Sequence, residues 1–240
     1  MDAIIMAGGK GTRMLPLTAH TPKPLLLVQG KPILEWSLLS VRSVAERVLI
    51  VVNYMEDQIT DYMQQQTIIT DYLLVKQTPE PLGTGHALQC CEPFLHSSDF
   101  IVINGDDLFH PASIAELARK NLGIMVLEAS DGSTWGVAIT DDAGHLLRLH
   151  EKPPRGFYPE PVKVNIGAYK LNRSVFEYEL ALSPRGEYEI TDYISYLASV
   201  ANVELVLTDF WFPIGTPENL ARAQHIDLHS HWIGGSRNIG

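Results

Sequence analysis

The sequence predicts an α/β fold, a mostly parallel but mixed sheet with helices on both faces. Three observations carry this. Short apolar runs of strand length recur through the first half of the chain, each reached through a longer segment with 3.6-residue apolar spacing. The first run, residues 2–7, is apolar almost throughout, as a strand buried on both faces requires. Past Ile124–Leu127 the pattern changes to strands joined by short turns, which implies an antiparallel or mixed section covering one side of the site.

The elements follow in order. Ile4-Ile5-Met6-Ala7 ends the first strand and runs into Gly8-Gly9-Lys10-Gly11, a turn that needs glycine's backbone freedom. Pro22 and Pro24 flank Lys23 and should hold it in an extended segment, out of any helix. Pro32 suits the first position of a helix striped by Ile33, Trp36, Leu38 and Leu39. Strands are expected at Val48–Val52, Tyr72–Val75 and Phe100–Ile103, then at Gly136–Thr140, Leu146–Leu149 and Val162–Leu171. Asp141-Asp142-Ala143-Gly144 reads as one of the short turns. Ser174-Val175-Phe176-Glu177 fits a capping box, and Thr216-Pro217 an N-cap followed by proline at the first helical position. Residues 1–230 read as one domain, with no repeat or linker, and 231–240 as a flexible tail.

Composition narrows the class. At 240 residues, 45% apolar, the chain can bury a sizeable core. A net charge of −10 without basic blocks argues against a nucleic-acid partner, so any phosphate affinity must come from a few cations in a cleft. No apolar run is long enough to span a bilayer, and no secretory leader opens the chain. Cys90 and Cys91 are adjacent in a helical segment and read as small buried hydrophobes, in keeping with a reducing cytoplasm. The sequence leaves room for a homo-oligomer.

Ligands of an open α/β sheet bind beyond the carboxyl ends of its strands, so the residues there are read together. After the first strand, the glycine turn can bring backbone N–H groups to an anion. Arg13 offers a planar fork for phosphate oxygens and Lys23 a compact charge. Neither the dinucleotide fingerprint nor the P-loop run is present. After the third expected strand come Gln77 and Leu82-Gly83-Thr84-Gly85-His86-Ala87, where an amide and exposed backbone could read a nucleobase edge. After the fourth comes Asn104-Gly105-Asp106-Asp107, a turn or a Mg2+ site. His86 is expected to be structural, and His225, His229 and His231 are not expected to hold a metal.

Gly8-Gly9-Lys10-Gly11-Thr12-Arg13-Met14 with Pro22-Lys23-Pro24 resembles the sugar-1-phosphate nucleotidylyltransferases. The Gln77 and Leu82–Ala87 segment is similar to the base-binding part of N-acetylglucosamine-1-phosphate uridylyltransferases, and Asn104-Gly105-Asp106 to the family's metal-binding strand end. Trp135-Gly136-Val137, His150-Glu151-Lys152-Pro153 and Val164-Asn165-Ile166-Gly167 resemble its sugar-binding segments. Arg185–Asp192 resembles a stretch of the glucose-1-phosphate thymidylyltransferase branch. The resemblance implies a Rossmann-like sheet of the nucleotide-diphospho-sugar transferase type, with 1–230 as the nucleotidyltransferase domain. It implies that Ala7, Gly8, Gly9, Lys10, Gly11, Thr12 and Arg13 hold a triphosphate, and that Lys23 serves the reacting centre with Arg13. Gln77, Gly83 and Thr84 would take the base, and Asp106 would bind Mg2+. Gly136, Glu151, Lys152, Asn165 and Glu189 would meet the sugar phosphate. The implied partners are an NTP, UTP or dTTP first, and a sugar 1-phosphate.

One departure stands out: where the family carries W-x-D-[IV]-G, this chain has Trp211-Phe212-Pro213-Ile214-Gly215, without the aspartate that is a second metal ligand. Asp209 lies close by in sequence, Asn219 is a weaker candidate, and Asp107 stands beside Asp106 as a further carboxylate. Two other readings stay open: a cytidylyltransferase acting on a small alcohol phosphate or phosphonate, and a catalytically weak regulatory subunit that binds nucleotide sugars.

Overall fold

The computed structural model describes residues 1–232. Its strands are β1 (Asp2–Met6), β2 (Leu27–Val28), β3 (Lys31–Pro32), β4 (Arg47–Val52), β5 (Tyr72–Lys76), β6 (Asp99–Asn104), β7 (Asp107–Phe109), β8 (Gly123–Ala129), β9 (Gly136–Thr140), β10 (Leu146–Glu151), β11 (Val162–Asn172), β12 (Glu204–Leu207) and β13 (Trp211–Pro213). The helices are α1 (Ile33–Val41), α2 (Glu56–Gln65), α3 (Thr84–Cys91), α4 (Pro111–Ala118), α5 (Ile190–Val200), α6 (Pro217–Ala223) and α7 (Leu228–Trp232).

The main sheet runs β10-β9-β11-β6-β1-β4-β5, with β8 and β12 attached through β11. Strands β6, β1, β4 and β5 are parallel to one another, and β11 runs antiparallel to β6. Beyond that reversal, β9 and β10 pair antiparallel, and β8 pairs antiparallel with β11. The fold is thus the mixed α/β sheet that the sequence predicts.

The period of two along a strand sends alternate side chains to opposite layers. Ala3 and Ile5 of β1 pack with Leu34, Leu38 and Val41 of α1, Ile59 and Met63 of α2, and Ile114 and Leu117 of α4. Ile4 packs on the other face with Leu88 and Cys91 of α3 and Tyr193, Ile194 and Leu197 of α5. A third cluster joins Met14, Trp36, Phe210, Ile214 and Leu228, and so fastens the segment after the glycine turn to β13 and α7.

Local expectations fare unevenly. Thr216 caps α6, accepting from the Asn219 N–H at 3.3 Å, as read from Thr216-Pro217. The capping box at Ser174 does not form. Asn172 caps instead, its side-chain oxygen accepting from Ser174 N–H at 3.0 Å, and the segment is a 3-10 turn, Arg173–Glu177. Asparagine caps as well as serine, so a cap two residues earlier wins. Pro32 is the residue before α1 rather than its first position. Lys23–Leu25 forms a 3-10 turn, not an extended segment. Proline's φ suits such a turn, and Pro24 sits where no N–H is required. The tail expected at 231–240 does not begin there: helix α7 runs to Trp232, whose ring is 5.2 Å from Trp36, and 233–240 lie outside the described residues.

Candidate active site

The glycine turn leaves β1 with its ladder extended by one bond, Ala7 N–H to Val51 O at 3.0 Å. Gly11 is left-handed, with φ of 61°, and its carbonyl accepts from the Thr18 hydroxyl at 2.8 Å. A Cβ at Gly11 would stand 3.1 Å from the Cβ of Lys23, so the turn packs directly on that lysine. Lys10, Thr12 and Arg13 project outward, and neither Lys10 nor Arg13 has an ion-pair partner among the described residues. Arg13 Nη1 is 3.9 Å from where a Cβ on Gly215 would stand, just beyond β13. An exposed, unpaired guanidinium at the rim of a glycine turn suits an anion arriving from solvent.

Lys23 is 6% exposed, and its Nζ stands 2.5 Å from Asp106 Oδ2. The Asp106 side chain is 38% exposed, so the pair has one face toward solvent. Gly105 makes this approach possible. Its N–H bonds Met6 O at 3.0 Å, and a Cβ would lie 2.7 Å from that oxygen. Asp107 is buried instead, and burial pushes its carboxyl well above the usual range. The Asp106 charge adds to the rise, while Lys23, Trp211 and Asn104 oppose it.

Pro213 stands opposite Asp107 in the β7–β13 pair, and Ile214 N–H bonds Asp106 O at 3.3 Å. The position that lacks the aspartate thus lies against the Asp106 turn. Asp209 does not replace it: its carboxylate lies 3.7 Å from His110 Nδ1. Asn219 Oδ1 accepts from the Thr216 hydroxyl at 3.0 Å. Among the described residues no group of three metal-binding side chains forms. Mg2+ needs only one or two carboxylates when phosphates supply other ligands, and the half-exposed Asp106 carboxylate fits that demand.

On the β5 side, Gln77 is 4% exposed and anchored through its backbone, N–H to Val52 O and O to Asn53 Nδ2, both at 3.0 Å. Its amide nitrogen is 2.9 Å from Gly83 O and 3.2 Å from His86 Nδ1. Gly83 has φ of 98°, and a Cβ there would lie 2.5 Å from Tyr188 O. The Thr84 hydroxyl accepts from Ile190 N–H at 3.1 Å. Gly83 and Thr84 therefore dock the loop between β5 and α3 onto the start of α5.

The remaining candidates lie across the sheet. Gly136 on β9 faces Glu151 on β10, and a Cβ on Gly136 would be 2.7 Å from Glu151 Oε1. Desolvation raises the Glu151 carboxyl; Arg185 and Lys152 pull it back, while Glu189 and Asp192 add to the rise. Lys152 has φ of 46°, a left-handed conformation rare outside glycine, with its N–H on Trp135 O at 2.9 Å. Asn165 bridges an irregularity in β11, donating to the Tyr169 hydroxyl at 2.8 Å and accepting from Gly167 N–H at 3.2 Å. A Cβ on Gly167 would fall 2.0 Å from Asn104 Nδ2, which ties the irregularity to the Asp106 turn. Glu189 is committed to its own loop, accepting from Arg185 at 2.7 Å and Ser183 at 3.2 Å.

The structure so brings together the glycine turn, Arg13, Lys23 and Asp106, with Gln77, Gly83 and Thr84 on the β5 side. Gly136, Glu151, Lys152 and Glu189 form a second group, joined electrostatically by Arg185. Thr18, Asn53 and Tyr169 hold site residues in place without any motif around them; only Asn53, at the end of β4, carried a positional signal.

Residues 2–230 match the model of the family described as Nucleotidyl transferase. Among curated relatives, the "Bifunctional protein GlmU" of Methanocaldococcus jannaschii is 32% identical over 226 residues, covering 93% of this chain and 53% of that protein. The chain spans about half the length of the GlmU relatives it matches. Among solved structures, a putative glucose-1-phosphate thymidylyltransferase from Bacillus anthracis superposes with a TM-score of 0.79 at 26% identity, covering 93% of this chain and 94% of that one. A UDP-glucose pyrophosphorylase from Acinetobacter baumanii shares the fold, with a TM-score of 0.80 at 22% identity, covering 98% and 94% of the two chains. A glycine turn packed on a buried lysine, extended matches in sequence and a shared sheet agree: this chain belongs to the nucleotidyl transferase family.

Proposed function

We propose that the chain transfers a nucleoside monophosphate from a pyrimidine NTP, UTP or dTTP first, to a sugar 1-phosphate. An oxygen of the sugar phosphate attacks the α-phosphorus, the bond from that phosphorus to the β-phosphate bridge breaks, and pyrophosphate leaves. The observation that carries this reading is the Lys23–Asp106 pair packed against the glycine turn, with unpaired Arg13 at its rim. The attacking oxygen is already anionic, so no general base is needed; positioning and charge neutralisation supply the rate. Arg13 faces the departing pyrophosphate and Lys23 the reacting centre. Asp106 would hold Mg2+, which supplies further neutralisation of the phosphates. Glu151 and Asn165 would take sugar hydroxyls, and Lys152 the sugar phosphate.

The test is pyrophosphate release with Mg2+ for UTP, dTTP and CTP against glucose 1-phosphate, N-acetylglucosamine 1-phosphate and choline phosphate. Turnover with a uridine or thymidine nucleotide and a hexose phosphate is expected. Turnover confined to CTP and the alcohol phosphate would replace this reading with the cytidylyltransferase one. Pro213 favours a second reading, a nucleotide-sugar-binding regulatory subunit, and binding without turnover for every pair would support it.

A further inference from the structure

The hydrogen bonds around Gln77 decide which of its atoms can face a base. Gly83 O, 2.9 Å away, can only accept, so the Gln77 atom beside it is the amide nitrogen. That nitrogen is also 3.2 Å from His86 Nδ1, which must then carry no proton. The His86 proton sits on Nε2, 3.7 Å from Cys90 Sγ, one turn along α3. Both amide hydrogens of Gln77 are thereby used. Its Oε1 receives no hydrogen bond among the described residues, yet it is not sealed from solvent. Reversing the amide would set oxygen against Gly83 O, an acceptor–acceptor contact, and would need the His86 proton moved onto Nδ1, away from the Cys90 side.

We infer that His86 is a positioning residue that locks Gln77 as a hydrogen-bond acceptor and so selects a base with an N–H at ring position 3, uracil or thymine, over cytosine. This rests on the nucleotide reading proposed above. Cytosine presents a lone pair at that ring position, and a buried polar group facing the wrong partner discriminates strongly.

The experiment is calorimetric binding of UTP, dTTP and CTP with Mg2+ and no sugar phosphate, so that no turnover intervenes. The wild type should bind UTP at least about tenfold more tightly than CTP, the scale of one hydrogen bond. His86→Leu should weaken UTP by about tenfold and narrow the gap. His86→Asn, whose amide oxygen can stand in for Nδ1, should keep both. In a Gln77→Ala background, His86→Leu should change UTP binding no further, because the two act as one unit. Additive losses would show that His86 acts through general packing and overturn the inference. Equal binding of CTP by the wild type overturns it too, whatever the variants do, and leaves the nucleotide reading standing; binding of none of the three nucleotides sinks both.

Discussion

Lys23 is buried at the edge of the glycine turn and paired with Asp106. Arg13 is its opposite, exposed and unpaired among the described residues. Removing either should lower turnover on the order of a hundred- to a thousandfold, the scale of losing one preorganised electrostatic stabiliser. Stopped-flow or coupled pyrophosphate assays of Lys23→Ala and Arg13→Ala would measure it, and near-normal rates in both would remove these residues from the chemistry. Glu151 gives a pH prediction. Its carboxyl is raised above the ordinary 4.5 by desolvation, so the folded chain holds that proton more tightly than the unfolded one. Its unfavourable contribution is absent below that pH and grows as pH rises through the window above it. The melting temperature of Glu151→Gln should therefore match wild type near pH 4 and exceed it at neutral pH; a constant offset would contradict the assignment. Arg13 and Asp106 stood out as candidates in the sequence because each sits in a short motif after a strand end, and Lys23 because Pro22 and Pro24 flank it. Thr18 and Tyr169 did not, and Asn53 had only its place after β4, because an isolated polar residue shows its partner only after the chain has folded.

Among the elements, the loop between β5 and α3 depends most on tertiary contacts. Gly85 N–H bonds Tyr188 O at 2.8 Å and Tyr188 N–H bonds Leu82 O at 2.7 Å, which clamps the loop onto the segment before α5. A Cβ on Gly83 would meet the backbone of Tyr188, which cannot swing aside, at a φ that disfavours any other residue. Gly83→Ala should cost about 1–3 kcal/mol, as overpacking does, and weaken nucleotide binding with it. Thermal melting and titration with UTP would read both, and unchanged values would mean that the loop is not clamped. The short strands β7 and β13 escaped the sequence for a related reason. Three residues show no alternation long enough to detect, and each is a strand only because the other pairs with it. At Arg173–Glu177 the local signal was genuine but degenerate, since Asn172 and Ser174 both have capping side chains and the sequence does not rank them.

Across the whole molecule, one sheet separates two apolar layers, and the site lies where the parallel strands β6, β1, β4 and β5 end beside the antiparallel β11. A ligand that binds only the folded state stabilises all of it: at a hundred times its Kd, by about 2.7 kcal/mol. For a chain of this size that corresponds to a rise of roughly 5–10 °C in melting temperature. A thermal-shift series with UTP, dTTP and Mg2+ should show it, and no rise with either nucleotide would count against nucleotide binding. The sequence by itself determined the class of fold, because apolar alternation of period two and spacing of 3.6 are local. It also singled out the candidate residues of the glycine turn and the Asp106 turn, which follow strand ends closely. Only the tertiary structure decided the pairing of Lys23 with Asp106, the placing of Pro213 opposite Asp107, and the orientation of the Gln77 amide. Those depend on atoms supplied by segments far apart in the chain, and a hydrogen bond or ion pair has no direction until both partners are in place.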